Sequence, residues 1–411
     1  MDNQPTMLSR KRGNAQRVKM AVILGALISF GPLSLDMYLP GLPALAEDLN
    51  TSASLTQLSL TFCLLGLSFG QLAAGPLSDI YGRRKPILIG LVVFIISSVL
   101  CALSTSIGML LVLRLLQGLA GATCIVGARA TARDLYSGTE LTKFMALLAI
   151  FHGAGPIIAP VIGGQLMYVT TWNGIFYVLA AIGVLFLVTA GMNLTETLEP
   201  SGRISGKLKN TFSIYRRLLL DRSFMGFSLA QGMITGGMFA YISGSSFVLQ
   251  KIYGMSPQMF SLTFAVNGLG IMIASQLTGR LAGRVGEFRL FTIGIVTAVL
   301  GGALLMVSIV GGFGLWGILP GLFLIVSCNG IVSTAGFSLA MQSQGKNAGS
   351  ASALLGVSNF VFGAVAAPLA GMGGEHAALP MAIVISSAHV LAILAYVFLV
   401  RKAVKHVPLS R

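Results

Sequence analysis

The chain reads as an all-helical integral membrane protein that crosses the bilayer twelve times, and three observations carry that reading. Only 9% of its 411 residues are charged, 55% are hydrophobic and the mean hydropathy is +0.85, where a soluble domain carries roughly 25% charge. Apolar stretches of about 20 residues, the length that spans ~30 Å of hydrocarbon, recur from one end to the other. The polar breaks between them are short, and the basic residues crowd into every second one.

The spans are expected near 19–42, 55–76, 86–105, 108–130, 142–167, 173–194, 223–248, 257–279, 289–311, 315–340, 349–372 and 378–400. With both termini in the cytoplasm, all 27 Lys and Arg residues except Lys251 (outside) and Arg114 (inside a span) fall on the cytoplasmic side. Arg129, Arg133 and Lys143 are assigned to the connection between the fourth and fifth spans. This positive-inside bias sets both helix count and orientation. The net charge of +15 therefore reports topology and implies no nucleic-acid partner. Residues 1–18 are polar and basic and are expected to be a disordered cytoplasmic segment, with no cleavable signal after them. Residues 401–411 form a cytoplasmic tail.

Cys63, Cys101, Cys124 and Cys328 all sit in apolar spans without paired spacing, so neither a disulfide framework nor a metal site is expected. His152, His376, His389 and His406 are scattered, and no cofactor is expected. No nucleophile set or nucleotide loop supports an enzyme.

One acid breaks the pattern. Of the twelve carboxylates, Asp36 alone lies within an apolar span, in Gly31-Pro-Leu-Ser-Leu-Asp-Met-Tyr-Leu-Pro-Gly41. An ionised Asp at mid-membrane costs about 2.5–3.5 kcal/mol on insertion scales, so a role as a protonation site is the sharper reading beside plain helix packing. Arg114, the intramembrane base, lies ~10 Å into the fourth span at 1.5 Å per residue, close to the expected depth of Asp36. It reads either as a partner for Asp36 or as a packing residue that bonds backbone carbonyls. A carboxylate that alternates between a guanidinium and an apolar cavity is a workable proton carrier.

The chain also repeats at half length. Gly75-Pro-Leu-Ser-Asp-Ile-Tyr-Gly-Arg-Arg-Lys85 recurs in degraded form at 279–289, 204 residues later, and 156–164 recurs at 364–372, 208 residues later. Two six-helix bundles, 19–194 and 223–400, joined by a polar linker at 195–222, form a secondary-transporter layout with the substrate site between the halves.

These motifs carry a family resemblance. Residues 75–85 resemble the loop signature between the second and third helices of the major facilitator superfamily. Arg114, Gln117 and Gly118 look like its fourth-helix signature. Gly153, Gly155, Pro156, Pro160, Gly163 and Gly164 resemble its fifth-helix antiporter motif. The segments 36–40, 129–134 and 241–250 are similar to the bicyclomycin-resistance and chloramphenicol-efflux (Bcr/CflA) branch. The resemblance implies the major facilitator fold, drug:proton antiport and a bacterial inner-membrane location. It further implies a cytoplasmic gate latch built from Gly75, Asp79, Gly82, Arg83, Arg84, Arg133 and Asp134 that ties the two halves together when the cytoplasmic side is shut. The antiporter motif is implied to pack on its degraded copy at 363–371.

Candidates for lining the cavity are Met37, Tyr38, Met145, Phe151, His152, Gln231, Phe239, Tyr241, Asn267, Asn329 and Phe360, because flexible Met and flat aromatic faces suit varied apolar ligands. Proton coupling falls to Asp36 and Arg114, and His152 is a second possible titrating group. The expected partners are protons, a small-molecule drug and the lipid bilayer, with the chain acting as a monomer. The substrates are expected to be lipophilic and neutral or monocationic, chloramphenicol- or bicyclomycin-like. A proton-coupled exporter of an amino acid, peptide or sugar is the alternative on the same fold.

Overall fold

The computed structural model describes residues 14–136, 138–198, 215–342, 344, 348–374 and 377–400, and every regular element among them is helical. The first span is broken into α1 (Asn14–Ile28), α2 (Phe30–Asp36), a 3-10 turn (Leu39–Gly41) and α3 (Leu42–Asp48). Then follow α4 (Ala53–Tyr81), α5 (Arg84–Ala102), α6 (Ile107–Leu135), α7 (Gly138–Val169) and α8 (Trp172–Asn193). A helical turn, α9 at 215–220, leads into the second half. That half contains α10 (Arg222–Phe247), α11 (Pro257–Val285), α12 (Glu287–Val310), α13 (Gly314–Met341), α14 (Ala348–Leu369) and α15 (Leu379–Ala395). Eleven described stretches are long and apolar enough to cross a bilayer, and α7 adds a further apolar stretch over Gly153–Val169.

Proline explains the broken first span. Pro40 has no N–H, so the carbonyl of residue 36 loses its helical donor and α2 ends at Asp36. Pro43 then starts α3 in the first-turn position where a missing donor is harmless. The span thus runs to Asp48 rather than ending at 42. Residues 14–18 are helical, against the expectation of disorder, while 1–13, most of the linker (199–214) and the tail 401–411 lie outside the described residues.

The half-length repeat is structural. Ser52 caps α4 by accepting from the Leu55 N–H, and Ser256 caps α11 by accepting from the Met259 N–H. Gly82 and Gly286 close those same helices at φ +89° and +87°. Each helix has 29 residues, so caps and stops all recur 204 positions apart. Positive φ is open to Gly with no Cβ penalty, which is why the signature keeps glycine at both places.

Between the halves, α7 packs on α11 and α4 packs on α14. This corrects the pairing expected for the antiporter motif: α7 does not lie on the 363–371 copy. A two-fold relation carries α7 to α14 and α11 to α4, so the α7–α11 contact has α14–α4 as its image. The space between α7 and α14 is where the cavity sits.

Candidate transport site

A cavity of about 300 Å³ lies between the halves, lined by residues from α2, α4, α6 and α7 on one side and from α10, α11, α13 and α14 on the other. Asp36 opens onto it from the end of α2. Among the described residues Asp36 makes no ion pair or hydrogen bond. Phe239, Tyr241, Phe264, Met238 and Phe360 form the apolar wall, and Asn267, Asn329, Asn359, Thr235, Ser333 and Gln71 supply polar groups. Several of these are already paired: Asn267 donates to the Tyr241 hydroxyl at 2.8 Å, and Ser333 donates to Asn329 Oδ1 at 2.8 Å.

Arg114 is fully buried beside this site but does not pair with Asp36. Its guanidinium donates to the Ser34 carbonyl at 2.8 Å and to Gln117 Oε1, and lies 4.3 Å from the Tyr38 ring centre. Gln117 in turn donates to Ser98 Oγ at 2.7 Å. Of the two readings the sequence left open, a partner for Asp36 or a residue that bonds backbone carbonyls, the structure shows the second: Arg114 holds the backbone two residues before Asp36. Depth along a helix placed both groups correctly, but the rotation of α2 turns Asp36 toward the cavity and the Ser34 carbonyl toward α6.

Arg114→Ala is expected to lower stability by about 3 kcal/mol, since two charge-assisted hydrogen bonds are lost. Arg114→Lys should lose less, keeping the charge but not the fork that serves two acceptors. Thermal unfolding and transport assays of both variants check this order, and equal mild losses would contradict it.

Glycines of the antiporter motif seat α7 against the Asp36 segment. A Cβ on Gly155 would press on the Pro32 ring, and one on Gly163 would collide with the Met37 carbonyl. Gly164 faces Ser261 and the Pro257 carbonyl on α11, and Gln258 Nε2 donates to the Gly164 carbonyl at 3.0 Å. Gly153 has open space around it. Pro156 lines the cavity, and Pro160 is buried within the α7 helix.

Several expected cavity residues face elsewhere. Met37 is wholly buried, packed under Gly163 of α7. Tyr38 lies beneath Arg114 and hydrogen-bonds Ser59 at 2.9 Å. Phe151 fills the space left by Gly25 on α1, Met145 packs on the main hydrophobic core, and Gln231 is buried beside Gly336. The side chain of His152 lies outside the described residues. Phe239, Tyr241, Asn267, Asn329 and Phe360 do line the cavity. Thr235, Met238, Phe264, Gln71, Asn359 and Arg129 were missed. Spacing offered a signal for the last: Arg129 follows Ile125 by four residues on one face of α6, and both reach the cavity. Its assignment to a cytoplasmic connection is thereby corrected.

The signature at 75–85 builds a second polar site at the end where the basic loops lie. Arg83 Nη1 donates to Asp79 at 2.5 Å and to Ser78 at 2.6 Å, while its Nε donates to Asp134 at 2.8 Å. Thr197 donates to the same Asp134 oxygen at 2.9 Å. Arg84 donates to the Gly191 carbonyl at 2.7 Å. Arg133 lines the shallow pocket here, and Gly75 faces open space. Every one of these bonds stays within the first half, so the cluster does not tie the halves together in this conformation.

Glu196 completes the cluster. Its burial opposes ionisation, but the backbone N–H groups of Arg83, Leu198, Arg84 and Thr197 outweigh this and hold its carboxyl below the ordinary range. A depressed folded pKa stabilises above the unfolded value of about 4.3 and is lost as pH falls through the folded value. Protection of the residue 83 and 84 amides, read as exchange relative to the intrinsic rate at each pH, is therefore expected to fall as pH drops through the folded value in the wild type and to be low at all pH in Glu196→Ala. Protection that ignores pH would contradict this.

The halves do meet at the opposite end. Ser54 and Thr61 donate to the carbonyls of Pro368 and Ala364 at 3.3 and 3.0 Å, and Gln250 donates to the Pro40 carbonyl at 3.3 Å. Lys251 pairs with Glu47. No hydrogen bond or ion pair between the halves is present at the basic end among the described residues.

Two pseudo-symmetric six-helix bundles, closed at one end around a central cavity, define a secondary membrane transporter and no enzyme. The family model of the Major Facilitator Superfamily matches residues 22–368, and the chain belongs to that superfamily. It is 43% identical over 391 residues to an uncharacterized MFS-type transporter, YdgK, of Bacillus subtilis (strain 168), covering 95% of this chain and 97% of that one. It is 30% identical over 382 residues to the bicyclomycin resistance protein homolog of Haemophilus influenzae (strain ATCC 51907 / DSM 11121 / KW20 / Rd), covering 93% and 96%. This agrees with the bicyclomycin-resistance resemblance. A bacterial homolog of the human lysosomal transporter Spinster, in an inward-facing and unoccupied conformation, superposes with a TM-score of 0.75 at 14% identity, covering 96% of this chain and 99% of that one. That likeness speaks to the fold.

Proposed function

We propose that this chain is a proton-coupled drug exporter of the bacterial inner membrane, acting as a monomer by alternating access with its basic end in the cytoplasm. One observation carries the reading: the cavity holds a single carboxylate, Asp36, with no partner among the described residues. A carboxyl kept in a largely apolar cavity without a counter-charge is unfavourable unless it exchanges protons.

In the outward-open form, drug departs and Asp36 takes a proton. The halves then rock, and in the inward-open form the proton leaves to the cytoplasm as drug enters. With the basic end in the cytoplasm, the contacts at the opposite end leave this conformation closed to the outside. Arg114 holds the Ser34 carbonyl and so fixes the end of α2 that carries Asp36. Each proton entering down 100 mV supplies about 2.3 kcal/mol, enough for a ~50-fold gradient of a neutral substrate. The aromatic and Met wall favours flat lipophilic compounds, and the bicyclomycin-resistance relative supports an antibiotic among them.

The test is a pH measurement in proteoliposomes holding an acid interior. Adding chloramphenicol outside should release interior protons only when the protein is present. An unchanged interior pH across a panel of lipophilic antibiotics would refute the exporter reading.

A further inference from the structure

The cavity has a second charged group, and it sits at the far end from the first. Among the described lining residues Asp36 and Arg129 are the only charged side chains. The bond from Arg114 to the Ser34 carbonyl sets the end of α2 near the level of residue 114 on α6. Arg129 lies 15 residues further along the same helix, about 22 Å at 1.5 Å per residue. The two charges form no ion pair with each other.

Arg129 differs from the three arginines of this half that acceptors hold, and from the exposed Arg133 in facing the central cavity. Arg83 is held by Asp79 and Asp134, Arg84 by the Gly191 carbonyl, and Arg114 by Ser34 and Gln117. Arg129 makes no hydrogen bond or ion pair with any described residue. Nearby on the cavity wall, Asn359 Oδ1 is buried and likewise without a partner. The wall of the same cavity includes Met238, Phe239, Phe264 and Phe360. A guanidinium kept uncompensated against apolar walls is unfavourable, and its planar fork fits a carboxylate in two parallel bonds.

We propose that Arg129 is a substrate anchor, and that the cavity takes elongated aromatic zwitterions with their carboxylate on Arg129 and their cationic end toward Asp36. The assignment rests on reading this cavity as the drug site. It widens the substrate class beyond neutral and monocationic compounds: a carboxylate-bearing amphiphile outcompetes its own ester.

The experiment uses the purified full chain and a pair of probes differing only in that group, norfloxacin and its methyl ester, with binding read by equilibrium dialysis and probe fluorescence. The wild type is expected to prefer the free acid by roughly tenfold or more, the value of a charge-assisted hydrogen bond. R129Q should bring the preference to near one. R129K, which keeps the charge without the fork, should fall between the two and provides the reading if R129Q does not fold. Equal affinity of the wild type for acid and ester, or an undiminished preference in R129Q or R129K, overturns the role of Arg129 alone. Failure of the wild type to bind either probe overturns the drug-site reading together with it.

Discussion

Asp36→Asn is expected to abolish uphill efflux and leave a folded protein that still binds substrate. The amide matches the carboxyl in size and keeps its hydrogen-bonding ability but carries no exchangeable charge. No other carboxylate lines the cavity among the described residues, and Asp79 and Asp134 are both occupied by Arg83. In proteoliposomes with an imposed pH gradient, the ~50-fold accumulation that one proton per 100 mV sustains should fall to equality. Exchange of labelled for unlabelled drug at equal concentrations should persist, since it needs no proton. Uphill transport surviving in this variant would eliminate the single-carrier mechanism and direct attention to His152.

Gly163→Val should disable transport without touching a charged group. A side chain at 163 meets the Met37 carbonyl, a backbone atom that cannot rotate away, so α7 or the break in the first span has to move. Overpacking of this kind costs about 1–3 kcal/mol, and here the displaced residue adjoins Asp36. A lower melting temperature together with lost proton coupling is the expected outcome. Gly153 supplies the control: nothing lies within 4 Å of its would-be Cβ, so Gly153→Ala should be tolerated. Equal sensitivity at 153 and 163 would show that the motif acts through helix flexibility rather than through this contact.

What the residues disclosed and what they hid follow from the geometry of a helix. The spans were legible because hydrocarbon thickness sets their length. Asp36 was legible because its expense needs no neighbours to be noticed. Azimuth was not: Met37 and Tyr38 adjoin Asp36 in sequence, yet they point into packed protein while it points into the cavity. For the same reason the sequence left open whether Arg114 meets Asp36 or a backbone carbonyl, and the structure shows the carbonyl of Ser34. Arg129 was hidden by its charge: it lay within the expected 108–130 span yet was counted with the basic loops, while in the structure it lines the cavity. A linear repeat likewise says which segments are equivalent but not which of them touch, so α7 was matched with α14 instead of α11.

The seal between the halves has a bearing on where such a protein can operate. Four of its five polar links run from neutral side chains, Gln250, Gln258, Ser54 and Thr61, to backbone carbonyls. Each is worth about 0.5–1.5 kcal/mol, and the exposed Lys251–Glu47 pair adds at most about 1 kcal/mol. The whole is then comparable with the energy of one or two protons, tight enough to stay shut and weak enough to be opened by its own fuel. Neutral bonds are hardly screened by dissolved ions, whose reach shortens from ~30 Å in dilute water to ~3 Å at molar salt. This closure should therefore hold almost equally well in fresh water and in brine, a tolerance that a ring of ion pairs would not provide.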